Sequence, residues 1–248
     1  GRLPASLSAR DQENLSHGKV QLALNNFHKN FVDPLGEAIH ETGFDLDQAG
    51  VYLLAKHAPE RNDHIAKKVK KQKDANIARV KKEIERLEAD VESDHTVALE
   101  TQRSRLKDYE TKPLLFQDTG SGMTYDEAQS VMNTAEREGT KDAMEKIASL
   151  VYKMMDHQRE IMVKKGLLDR DTKEDWESNF KFYVPTKGFA ASEKGDEYEQ
   201  GAQSRGFSIV GRESMKAKGR TTLPLNPILT AIEDVQKKII RGEKNETS

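Results

Sequence analysis

Apolar residues recur along this chain at spacings of three and four rather than in alternation, so the pattern predicts helices throughout. Ser8 or Asp11 can cap a first helix running to about His40. Leu15, Leu22, Phe27, Phe31, Leu35 and Ile39 form its buried side, and Pro34 is expected to kink or split it. Gly43 ends this helix and Asp45 caps the next, where Leu46, Ala49, Tyr52 and Leu53 return at helical spacing. The run Val51–Ala55 is expected to dock on the first helix. Pro59 should interrupt the chain, leaving Glu60-Arg61-Asn62 at a handover between helices.

The next stretch carries a coiled-coil seam, since Ile77, Val80, Ile84, Leu87 and Val91 follow spacings of three, four, three and four. Its charge is segregated: Arg61–Lys82 holds nine Lys/Arg against two acids, and Glu83–Glu100 holds seven acids against one Arg. Leu99, Leu106 and Tyr109 then sit one residue out of phase. One residue rotates a helical stripe by about 100°, so the helix either continues with a new face or reverses near Ser93–Thr96. We read a reversal, giving a helical hairpin that projects from the body.

Pro113 closes this arm, and Gly120-Ser121-Gly122 reads as a flexible hinge loop. Thr124 with Glu127 fits a capping box, Gly139 stops that helix, and Thr140 can cap the next. In that helix Ala143, Ile147, Leu150, Val151, Met154, Ile161 and Met162 face a core before Gly166, and Met144, Met154 and Met162 are read as core filler. Asp171 starts a short helix carrying Trp176, read as a packing anchor, and Phe180. Phe182–Pro185 is extended, and Thr186–Pro224 reads as a long irregular loop. Asn226-Pro227 opens a last helix with Ile228, Leu229, Ile232, Val235 and Ile239 as its stripe. The fold class expected is all-α: a multi-helix bundle with a protruding charged, coiled-coil-like hairpin and a long irregular loop. Its segments are 1–60, 61–112, 113–185, 186–224 and 225–248.

Composition sharpens this picture. Of 248 residues only 35% are hydrophobic and 6% aromatic, while 33% are charged, so each helix should bury a single stripe around a thin core. A net charge of −2 provides no global pull toward nucleic acid or anionic lipid, which leaves local patches. Zero cysteines exclude disulfides and thiolate metal sites. No apolar run reaches the roughly 18 residues of a membrane helix, and no membrane span is expected. A start at Gly1-Arg2-Leu3-Pro4 without Met is read as the mark of a piece excised from a longer polypeptide.

Candidate chemistry is sparse. Glu37 and His40 form one Glu-x-x-His element where a di-iron bundle needs two, so they read as an ordinary helix end. His57, Glu60, Arg61 and His64 could suggest zinc, but Pro59 should spoil the geometry and Arg61 would repel the ion. We read His57, Glu60, Arg61 and Asn62 as a structural polar junction. The Gly120–Gly122 loop lacks the strand and Gly-Lys-Ser/Thr ending of a phosphate loop. Nucleic-acid contact is assigned, as an alternative function, to Lys67, Lys68, Lys70, Lys71 and Lys73 on the arm and to Arg205, Arg212, Lys216, Lys218 and Arg220 in the loop. The competing reading is a solvated arm with pairs such as Arg79 with Glu83 and Lys81 with Glu85. No catalytic residue, metal or cofactor is assigned.

Several segments resemble the helical, non-catalytic regions of large polyvalent proteins of phages and mobile elements. They are Phe31-Val32-Asp33-Pro34-Leu35, Tyr52–Asn62 with its Ala55-Lys56-His57-Ala58-Pro59-Glu60-Arg61-Asn62 run, and Gly120-Ser121-Gly122-Met123-Thr124 with Glu127-Ala128. Tyr183-Val184-Pro185 with Gly188-Phe189, and Arg241-Gly242-Glu243-Lys244-Asn245, complete the set, in that family's order. The hairpin, Lys67–Leu106, looks like an insertion. The resemblance implies a segment of a giant protein packaged in the virion and delivered with the genome into the host cytoplasm. Its expected role is non-catalytic, in DNA ejection, translocation or protection. Its expected partners are the rest of the parent polypeptide or virion proteins, with DNA as the alternative. A further alternative is an accessory domain of a phage enzyme such as a virion polymerase or an antirestriction methylase or helicase.

Overall fold

The computed structural model describes residues 9–90, 94–114, 120–187 and 222–246. The fold is all-α, with no strand among the described residues. The helices are α1 (Ala9–Phe27), α2 (Asp33–Thr42), α3 (Leu46–Ala89), α4 (Thr96–Thr111), α5 (Tyr125–Arg137), α6 (Lys141–Lys164), α7 (Arg170–Asn179) and α8 (Pro227–Glu246).

Pro34 acts on the helix before it. It lacks an amide proton, and the ladder adjusts through a π-helical segment, His28–Val32, in which the Asp33 amide donates to the His28 carbonyl. The extra residue rotates the apolar stripe, so Phe27 and Leu35 are buried while Leu15 and Leu22, expected inside, are exposed. Ala23 and Leu24 pack against the core instead. Gly43 closes α2 at φ 69°, and Asp45 with Gln48 forms a reciprocal capping box for α3.

The interruption expected at Pro59 is absent. α3 is one helix of 44 residues, about 66 Å long at 1.5 Å per residue, and it runs through the expected boundary at residue 60. An interior proline costs about 3 kcal/mol. Burial on both sides opposes that cost, because Tyr52–Ala55, His57, Ala58, Asn62 and Ile65 all lie inside. The Tyr52–Ala55 run packs on α5, α6 and α8 rather than chiefly on α1.

The main core joins Phe27, Leu35, Tyr52 and Leu53 to Ile147, Val151, Met154 and Met155 of α6, and to Ile228, Ala231, Val235 and Ile239 of α8. Ala231 takes the place expected for Leu229, which is exposed. A second cluster seats α5 on α3 through Leu54, Ala55, Ala58, Met123 and Ala128. A third places Trp176 against Met162, Leu167 and Leu168. Thr124 caps α5 as its sequence predicts. Thr140 does not cap α6 by its side chain; its hydroxyl donates to the Ala135 carbonyl. Asp169, rather than Asp171, caps α7 through the Thr172 amide at 2.7 Å.

The distal half of α3 leaves the body and pairs with α4. Val80 and Leu87 are buried between them, so the arm is the expected hairpin. Its ion pairs differ from those expected: Lys81 reaches Glu110 at 3.2 Å across the hairpin, Glu83 pairs with Arg86 at 2.6 Å, and Arg103 reaches Glu88 at 2.6 Å. Partners across two helices compete with partners along one.

Candidate functional site

Tyr52, Lys56 and Glu60 follow at four-residue spacing on α3 and so share a face. That face meets α6 and the segment after α7. Lys56 Nζ donates to both carboxylate oxygens of Glu145, at 2.7 and 2.6 Å, and the Tyr52 hydroxyl donates to Glu145 Oε1 at 2.6 Å. Lys56 Nζ also sits 4.4 Å from the Phe182 ring centroid, within cation–π range. Glu60 accepts from the Lys181 amide at 3.1 Å and the Phe182 amide at 3.0 Å, anchoring the extended chain that follows α7. Farther along, the Leu225 amide donates to the Lys187 carbonyl at 2.8 Å, and Lys187 pairs with Asp234 of α8.

His57 is fully buried, edge-on to Phe180 and Tyr183 at centroid distances of 5.5 and 5.7 Å. Its Nδ1 lies 3.9 Å from Glu60, beyond hydrogen-bond range, and neither ring nitrogen has a hydrogen-bond partner. Burial lowers its pKa, with Arg61 adding to the effect against the pull of Glu60, so the imidazole is neutral. Burial alone would raise Glu60, but the neighbouring His57 ring and the hydrogen bonds from the Phe182 and Lys181 amides hold it below the ordinary carboxylate value. Glu145 behaves alike: burial raises it, and Lys56 and Tyr52 more than compensate. The Tyr152 hydroxyl is buried without a partner, and burial raises its pKa.

Asn62, fully buried five residues past His57, holds the Gly120–Gly122 loop. Its Oδ1 accepts from the Ser121 amide at 2.7 Å and its Nδ2 donates to the Met123 carbonyl at 2.9 Å. Ser121 Oγ closes the turn on Met123. Gly120 lies so close to α3 that a Cβ there would stand 2.8 Å from Ile65 Cβ. The loop is therefore docked rather than the hinge expected, because its Ser121 amide and Met123 carbonyl find their partner in Asn62 of α3.

Of the polar junction His57, Glu60, Arg61 and Asn62, Glu60 and Asn62 thus fasten distant segments to α3, and His57 packs between aromatic rings. α3 is unbroken at Pro59, contrary to the geometry expected there, and each Glu60 oxygen accepts one backbone amide. Among the described residues no group of three His, Asp or Glu is placed to hold a metal ion. Sequence reasoning missed Tyr52, Lys56, Glu145, Tyr152 and Phe182. The four-residue spacing of Tyr52, Lys56 and Glu60 was a visible signal; Glu145, 93 residues from Tyr52, was not.

On the arm, Lys67, Lys68, Lys70 and Lys71 are exposed. Lys73 is not with them, since its Nζ donates to the Lys112 carbonyl at 2.7 Å at the end of α4. A groove of about 590 Å³ between α3 and α4 is lined by Arg79, Glu83, Arg105, Asp108, Tyr109 and Lys112, a mixture of both signs. Arg205, Arg212, Lys216, Lys218 and Arg220 lie outside the described residues. No described helix is long and apolar enough to cross a membrane. Comparison with protein-family models, curated proteins and solved structures finds no match to this chain.

Proposed function

We propose that the chain is a non-catalytic interaction segment of the kind found in large polyvalent phage proteins, delivered with the genome, and that the charged arm makes its contacts. One observation carries this reading: the segments that bear the resemblance are spent on holding the body together. Phe31 stacks on His157 at 4.5 Å, Glu60 and Asn62 fasten the 181–182 and 121–123 segments, and Asn245 donates to the Lys165 carbonyl at 2.8 Å. Polar groups engaged with the rest of the body in this way specify a fold and offer little to a substrate. The arm is the opposite, a long surface of exposed charge with few demands from the body.

The second reading, phosphate contact, is favoured by the exposure of Lys67, Lys68, Lys70 and Lys71. The test is binding of labelled double- and single-stranded DNA across a salt series, with a variant in which Lys67, Lys68, Lys70, Lys71 and Lys73 become Gln. A protein-facing arm gives negligible binding at physiological salt and no difference between the two chains. Binding that falls steeply with salt and is lost in the variant replaces that reading with DNA contact.

A further inference from the structure

α3 carries a second seam besides the one buried against α4. Lys67, Lys71, Asp74, Ala78, Lys81, Glu85 and Glu88 are spaced four, three, four, three, four and three, with Lys70 beside Lys71. A strict seven-residue repeat keeps one face turned to a neighbouring helix. Every one of these residues is exposed, and the stripe lies about one residue, or roughly 100°, around the helix from Ile77, Val80, Ile84 and Leu87. It spans about 32 Å from Lys67 to Glu88.

The order of charge along it is self-complementary under reversal. Laid antiparallel on itself about a point beside Ala78, the stripe sets Lys67 against Glu88, Lys70 and Lys71 against Glu85, and Asp74 against Lys81, with small Ala78 at the crossing. A parallel arrangement sets like charges together. DNA phosphates would use the basic half alone and would be repelled by Glu85 and Glu88. Two stripe residues already hold partners within the hairpin, Lys81 with Glu110 and Glu88 with Arg103, both at the surface.

We infer that this seam of α3 is a docking surface for the same seam of a second copy of the chain, in antiparallel, two-fold orientation. The inference rests on the arm being a contact element and names its partner. An isologous interface of this kind presents each ion pair twice. Because the pairs are exposed and the centre is an alanine, the association is salt-sensitive and weaker than that of an apolar coiled coil.

The test is sedimentation of the full chain over a concentration series at about 20 mM and about 500 mM salt. Two variants, Lys70→Glu with Lys71→Glu, and Glu85→Lys, are run alone and mixed, with circular dichroism as the check on helix content. The wild type dimerises at low salt and dissociates at high salt. Each variant alone faces like charges at both ends of the interface and loses affinity roughly tenfold or more. The equimolar mixture is complementary at both ends and recovers a dimer of wild-type affinity. A wild type that stays monomeric at low salt overturns self-pairing, as does a mixture that fails to recover. If that monomer shows arm-dependent DNA binding, the protein-facing reading falls together with self-pairing; if it binds no DNA, self-pairing alone falls and the arm's protein partner is a different one.

Discussion

Asn62 joins α3 to residues 59 and 61 positions away, using one donor and one acceptor inside the body. Asn62→Ala leaves the Ser121 amide and the Met123 carbonyl without that partner, and should cost about 2–4 kcal/mol in urea unfolding. A loss within 0.5 kcal/mol would mean that the loop is held by something else. His57 is the reverse case, since its ring packs but its nitrogens bond to nothing. His57→Phe should therefore leave stability at pH 7 unchanged or raised. The sign with pH follows from its lowered value: the folded chain keeps His57 neutral while the unfolded chain takes up a proton below about pH 6.5. The unfolded state then binds more protons, and stability falls as pH drops from there. Phe has nothing to protonate, so urea midpoints measured between pH 7 and 5 should fall less steeply in the variant than in the wild type. Glu60, held below its ordinary value, adds its own loss at lower pH still.

Among the elements, α3 departs most from its local sequence, because Pro59 sits inside it. Pro59→Ala restores an amide donor and should raise stability by about 1–3 kcal/mol, read as an upward shift of the urea midpoint. A destabilised variant would show that the proline shapes the packing of α3. Gly120→Ala drives a Cβ into Ile65 and should cost about 1–3 kcal/mol by the same measurement. Helix ends were legible wherever a short-range rule decides them, as with Asp45, Thr124, Gly43 and Asn226. Where a distant contact decides, local rules failed. Pro59 is overruled by burial around it, Leu15 and Leu22 by the register change at the π segment, and Leu229 by a buried stripe that runs through Ile228, Ala231, Val235 and Ile239. The polar junction was half visible, as residues that ought to be structural. Glu145, Tyr152 and the amides of 181 and 182 arrive from far along the chain, and no spacing announces them.

At the scale of the molecule, one helix has two environments. Up to Ile65, α3 is packed by α5, α6 and α8; beyond it, α3 meets α4 through a narrow seam in which Val80 and Leu87 are the buried α3 residues. Exposed ion pairs along the arm contribute about 0–1 kcal/mol each, so its cohesion is slight beside that of the body. Amide hydrogen exchange along α3 tests this division most directly. The account predicts that residues 49–65 exchange only through global unfolding, together with α6 and α8, while residues 74–89 and α4 exchange at least about a hundredfold faster through local opening. Uniform protection from residue 49 to 89 would contradict it, and would make the arm part of the body rather than a surface held out for contact.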